Sequence, residues 1–233
     1  QQFDLTAQFL QFLQQTKLEV RNVVISVPFI AVLFLGLLIV IANTAGGLES
    51  AFGTPVYATT YTMVQVINGA FTLSLMIVLI YYAGEIMVRE RGVNVAEIMD
   101  AMPYPNWVMI AAKLTGLITV IICMLLSAML AGICVQLYNE FYEIDLSLYL
   151  KGLLFFFQIP LYLMVVLALF FFTLTRNKYL TMFLMILYFV VNISLPALGF
   201  EHFLYRMRQL QPLYSDFTGY SQNLAPYLWQ TLY

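Results

Sequence analysis

The residues best placed to do chemistry lie in a polar island, Glu85–Lys113, set between two long apolar runs. It reads EIMVRERGVNVAEIMDAMPYPNWVMIAAK and carries Glu85, Arg89, Glu90, Arg91, Glu97, Asp100 and Lys113. An alternating run of acids and bases in a short connection suits contact with another macromolecule. The island has an internal order. Gly92 is a helix stop, because glycine takes positive φ without steric cost. Asn94 with Glu97 three residues on has the form of a capping box, opening a short helix Val95–Ala101 that Pro103 must end. Tyr104, Pro105 and Trp107 then mark an interface, and Lys113 is placed to extend its amine back toward lipid headgroups.

Catalytic chemistry has little to work with. No G-x-x-x-x-G-K-[ST] is present, so no P-loop cradles nucleotide phosphates. His202 is the sole histidine, which rules out H-E-x-x-H and leaves Glu201–His202 without convergent ligands. No catalytic, cofactor-binding or metal-binding residue is therefore assigned. Cys123 and Cys134, eleven positions apart, share a helix face but stand about 16 Å apart along the axis, too far to bond. They read as small buried apolar residues.

Polar side chains inside the apolar runs are costly unless they face protein or water. Gln65, Asn68, Gln158 and Asn192 are the candidates. Two readings stay open: residues lining a translocation path, or partners in interhelical hydrogen bonds, with the second carrying more weight. No Asp or Glu falls in the middle of a run, which disfavours a proton-coupled carrier with a buried carboxylate relay.

The elements that hold these residues follow from composition. With 62% hydrophobic and 9% charged residues and a mean hydropathy of +0.87, the chain reads as an integral membrane protein. A net charge of −2 gives no general attraction to nucleic acid. A hydrocarbon core of roughly 30 Å needs about 20 apolar residues. Five runs qualify: Val23–Ala42, Tyr57–Tyr82, Trp107–Leu137, Leu148–Leu174 and Tyr179–Gly199. They are too long and too uniformly apolar for a β-barrel. Before them, residues 1–21 form an amphipathic helix expected to lie in the interface, with Leu5, Phe9, Phe12, Leu13 and Val20 on one side and Asp4, Gln8, Gln11 and Gln15 on the other. Pro28, Pro160 and Pro196 are placed to kink helices. Ala112/Gly116 and Ala128/Gly132 permit close helix approach.

Basic residues set the orientation. An N-terminus inside puts Lys17, Arg21, Arg89, Arg91, Arg176 and Lys178 on the cytoplasmic face and leaves outer loops poor in lysine and arginine. The outer segment Glu201–Pro226 is aromatic, with tyrosines suited to headgroup level. Pro226–Tyr233 reads as at most the entrance to a sixth span, and the opening Gln suggests an excerpt of a longer chain.

The stretch ERGVNVAEIMDAMPYPNW, followed by an apolar helix with Lys113 near its start, resembles the cytoplasmic loop between the second and third spans of ABC-type exporter permeases of the type-2 subfamily. The matching positions are Glu90, Arg91, Gly92, Glu97, Ala101, Met102, Pro103 and Lys113. The segments Glu201–Arg206 and Pro212–Tyr220 are similar to a narrower group, bacterial permeases fused to a zinc aminopeptidase-like domain. The resemblance implies that Val95–Ala101 is a coupling helix touching a nucleotide-binding ATPase subunit. ATP and Mg would be bound by that subunit, with no cofactor in this chain. It further implies a second permease half or homodimer partner, six spans per half, placement in the bacterial inner membrane, and a role for Tyr214, Ser215 and Asp216 in gating or in docking an extracytoplasmic domain. The alternative is a non-transporting membrane anchor for an attached peptidase or assembly factor.

Overall fold

The computed structural model describes residues 5–45, 48, 53–54, 56–92, 105–200, 214–215, 217 and 219–232. Among them the chain is all-helical, without strands. The helices are α1 (Leu5–Val24), α2 (Val27–Ala45), α3 (Thr60–Gly92), α4 (Asn106–Tyr138) and α5 (Leu146–Leu150), which runs into a π-helical turn Lys151–Phe156. After that come α6 (Ile159–Thr175), α7 (Lys178–Ser194) with a 3₁₀ turn Leu195–Leu198, and α8 (Ser221–Leu232). Among the described residues five stretches are long and apolar enough to cross a membrane: Val27–Thr44, Thr60–Val88, Trp107–Tyr138, Leu146–Thr175 and Lys178–Leu198. The expected coupling helix Val95–Ala101 lies outside the described residues.

Boundaries shift for identifiable reasons. The first span starts at Val27 rather than Val23, because α1 runs through Val24 and the chain turns at Ile25–Ser26. There the Ser26 hydroxyl donates to Val23 O at 2.6 Å. Pro28, expected as a kink, is the second residue of α2, where its missing N–H is one that the helix would leave unpaired anyway. Pro196 stands likewise in the first turn of its 3₁₀ segment. The helix of the second span, α3, continues ten residues past the expected Tyr82, to Gly92, and residues 93–104 lie outside the described residues.

Contacts between Cα atoms divide the chain into two compact units: residues 1–34, 75–124 and 164–188, and residues 35–74, 125–163 and 189–233. In the first, Tyr82 of α3 meets the edge of Phe29, ring centroids 6.4 Å apart, and its hydroxyl bonds Ser26. Gly84 admits α7 so closely that a Cβ there would lie 3.2 Å from Lys178 O, and one residue on, Glu85 pairs with Lys178 Nζ at 3.2 Å.

On α1 the apolar residues Leu5, Phe9 and Leu13 are exposed, as a side turned toward lipid would be, and so are Leu10, Leu18 and Gln11; Phe12, Val20, Gln8 and Gln15 are half-buried and Glu19 is buried. The polar side packs on α4: Thr16 and Thr115 share a hydrogen bond of 3.1 Å, and Gly116 lets Glu19 approach to where a Cβ would be 3.1 Å away. Lys113, one turn before Gly116 on that covered face, is 3% exposed rather than reaching for headgroups. Cys123 and Cys134 are exposed on α4, not buried as expected.

The second unit is built on close approaches. A Cβ at Gly36 would lie 2.8 Å from the Phe71 ring, at Gly132 2.7 Å from Ile67, and at Gly152 2.8 Å from Val64. Small residues thus bring α2, α4 and the π-helical turn against α3.

Candidate functional site

The polar atoms of the second unit converge on two places. The first lies around Gln136, wholly buried near the end of α4. Its Nε2 donates to Ala58 O at 2.9 Å and to Thr60 Oγ1 at 3.4 Å, and its Oε1 accepts the Tyr149 hydroxyl at 2.7 Å. Thr60 Oγ1 in turn donates to Glu143 O at 3.4 Å and accepts from Asp145 N at 3.3 Å. Asp145 caps α5, accepting from Ser147 N at 2.9 Å and Leu148 N at 3.2 Å. One amide and one hydroxyl thereby tie the start of α3 to the loop between α4 and α5. In an apolar setting each such group would cost several kcal/mol if left unpaired.

The second place is the break in the fourth span. Pro160 has no N–H to offer the carbonyl four residues back, that of Phe156. The backbone answers with a π turn, Phe157 N bonding Gly152 O at 3.1 Å, before α6 resumes with Tyr162 N to Gln158 O at 3.0 Å. Tyrosine hydroxyls serve the freed carbonyls. Tyr227 of α8 donates to Phe156 O at 3.0 Å and more loosely to Phe155 O at 3.4 Å, and Tyr162 donates to Leu154 O at 3.1 Å. Beside the break Gln158, buried, reaches Asn68 Oδ1 of α3 at 3.5 Å.

A line of rings connects the break to the outer segment. Phe156 contacts Tyr227 at 5.4 Å and Tyr220 at 4.4 Å between centroids. Tyr220 contacts Tyr214 at 5.2 Å, and Tyr214 contacts Tyr61 of α3 at 5.5 Å. Tyr220 is 7% exposed, and its hydroxyl oxygen has no hydrogen-bond partner among the described residues. Burial raises its pKa from 10.0 to about 12, with Tyr61 and Tyr214 adding smaller contributions.

Of the polar residues expected inside the spans, Asn68 and Gln158 come together. Gln65 does not join them: it is exposed and donates to Tyr61 Oη, four residues back on its own helix, at 2.8 Å. Asn192 is half-buried on α7. Tyr214 belongs to the line of rings, and Ser215 exchanges backbone hydrogen bonds with Gly219 at 3.1 and 2.7 Å, closing a turn in which Gly219 takes φ +60°. Asp216, Glu97, Met102 and Pro103 lie outside the described residues, as do the side chains of Glu90 and Arg91, which with Gly92 end α3.

Sequence reasoning passed over Gln136, Tyr149, Tyr162 and Tyr227. The signal for the break was Gln158 followed two residues later by Pro160 within an unbroken apolar run. Gln136 sits where the third apolar run ends and reads as a boundary residue, although it is buried. No family model, no curated protein and no solved structure matches the chain.

Proposed function

We propose that this chain is the membrane-spanning half of an ABC exporter permease, coupling ATP hydrolysis by a partner subunit to substrate movement. The observation that supports this reading most is the reach of α3. Its apolar window ends at Val88, yet the helix runs unbroken to Gly92 and carries Arg89, Glu90 and Arg91 beyond that window. At about 1.5 Å per residue its 33 residues form a rod of roughly 50 Å. A push at its charged end would be felt along the whole span. The second 33-residue helix, α4, begins at Asn106, so residues 93–105 join two such rods.

On this reading the N-terminus is cytoplasmic in the inner membrane and residues 95–101 receive the motion of a nucleotide-binding subunit. A second permease half or a second copy completes the path, and transport proceeds by alternating access. ATP and Mg belong to the partner. The test is co-purification of an ATPase through residues 85–105, followed by Glu97→Ala and Met102→Ala. The expected result is ATPase activity uncoupled from transport with the spans still folded. Capture of no ATPase, or unchanged coupling in both variants, would turn the reading toward a membrane anchor for an attached peptidase or assembly factor.

A further inference from the structure

A cavity of about 740 Å³ opens in the second unit, between the start of α3, the loop joining α4 to α5, and the residues Tyr214, Ser215 and Phe217. Its size is within the range of small-molecule sites, roughly 300–1,000 Å³. Four of its lining residues are aromatic: Tyr61, Phe141, Tyr214 and Phe217. Two more, Glu143 and Asp145, are acidic, and among the described residues no Lys, Arg or His lines it.

The two carboxylates are not equivalent. Asp145 is committed to the cap of α5, its Oδ1 accepting two backbone N–H groups. Glu143 is held by its backbone, whose carbonyl accepts from Thr60 Oγ1 at 3.4 Å. Among the described residues its exposed side chain makes no hydrogen bond or ion pair, which leaves the carboxylate open to a counter-ion. Tyr61 and Tyr214, both in the lining, pack against each other with ring centroids 5.5 Å apart and planes inclined by 31°, forming one continuous aromatic patch. Ring faces are electron-rich and attract cations, organic ammonium ions above all, because their charge is spread over alkyl groups that also gain from apolar contact. A small hard metal ion wants three or more oxygen ligands, and no His, Cys, Asp or Glu group of that size forms among the described residues.

We infer that this cavity binds an organic ammonium ion bearing an apolar body, with Glu143 as counter-ion and the aromatic patch of Tyr61 and Tyr214 as part of its lining. The site goes beyond the permease reading and does not depend on it, since binding needs no ATPase. The ammonium group could come from a soluble amine or from a lipid headgroup, and the two sources are separable.

The test uses the full chain in maltoside micelles, which are uncharged, with choline as probe and its neutral carbon isostere 3,3-dimethyl-1-butanol as control, followed by ligand-observed NMR. Choline is expected to bind saturably and the alcohol at least about tenfold more weakly. Glu143→Gln is expected to weaken choline about tenfold or more, and Tyr61→Leu to weaken it severalfold. Glu140→Gln, at an exposed carboxylate outside the cavity, is expected to leave it unchanged. Added phosphatidylcholine that abolishes choline binding would support the site and assign it to a lipid headgroup; undiminished choline binding would support it as a site for a soluble amine. Equal binding of choline and the alcohol, absence of saturable choline binding, equal losses in Glu140→Gln and Glu143→Gln, or displacement of choline by calcium at equal concentration would overturn it.

Discussion

The hydroxyl of Tyr227 stands 3.0 Å from the carbonyl oxygen of Phe156, the acceptor that Pro160, four residues on, has no N–H to satisfy. A proline within an apolar span thus has its missing donor replaced from another helix. Tyr227 is 2% exposed, so water is poorly placed to take over that role. Tyr227→Phe is expected to lower stability by about 1–3 kcal/mol, the cost of a buried acceptor left unpaired. Pro160→Ala restores an N–H to the backbone, so the double variant is expected to lose less than the sum of the two single changes. Thermal unfolding of the four proteins in one detergent measures this; strict additivity would mean that the tyrosine and the proline are independent.

The contrast between Gly36 and Gly69 gives a second expectation. Both are glycines in apolar helices, but a Cβ at Gly36 would lie 2.8 Å from the Phe71 ring and 3.0 Å from Ser74 Oγ, whereas nothing stands within 4 Å of one at Gly69. Gly36→Ala must move a packed ring and is expected to cost roughly 1–3 kcal/mol. Gly69→Ala removes only the backbone freedom of glycine in the middle of α3 and is expected to be neutral or to stabilise by up to about 1 kcal/mol. Melting temperatures that move in the same direction for both would contradict the close approach of α2 to α3.

Gln136 carries a third. It is wholly buried, with its amide serving Ala58 O, Thr60 Oγ1 and the Tyr149 hydroxyl. Gln136→Leu keeps the volume but strands the Tyr149 hydroxyl and the Ala58 carbonyl. The expected loss is about 1–3 kcal/mol. Adding Tyr149→Phe to it is expected to recover part of that loss by removing one of the stranded groups. A second substitution that only deepens the loss would show that Tyr149 has some other partner to satisfy.

How much of this was legible beforehand depends on what each feature demands of the residues. The spans were legible, since crossing hydrocarbon imposes a length and a composition that Trp107–Leu137 or Tyr179–Gly199 meets residue by residue. The turn at Ile25–Ser26 was legible only in part. Pro28 marked a weak point, but the apolar run continues through it, and the serine hydroxyl that helps to break the helix leaves no mark in hydropathy. The same holds for the fourth span, where hydropathy is blind to a π turn and only Gln158 and Pro160 hinted at one. Asn68 and Gln158 were recognisable as groups needing partners, but that each is the other's partner is a fact of register between two helices. On α1 the periodicity was visible, and the direction of its polar face was not. Lipid or protein can cover either side, and the small residue that decided it, Gly116, lies on another helix.

Tyr220 supplies the last expectation, because its hydroxyl is buried without a hydrogen-bond partner among the described residues. Burial first, and then the neighbouring Tyr61 and Tyr214, raise its pKa from 10.0 to about 12. An acid held protonated in the folded state contributes stability that is fully present below the unfolded pKa near 10. Above that the unfolded chain releases its proton while the folded chain keeps it, so stability falls as pH rises from about 10 to about 12. Tyr220→Phe is expected to be at least as stable as the parent near neutral pH, since it deletes an unpaired polar atom and keeps the ring contacts with Phe156 and Tyr214. It is also expected to lose less stability between pH 10 and 12. Denaturant titrations of the two proteins at pH 8 and pH 11 check both statements, and a phenylalanine variant clearly weaker at pH 8 would mean that the hydroxyl has a partner after all.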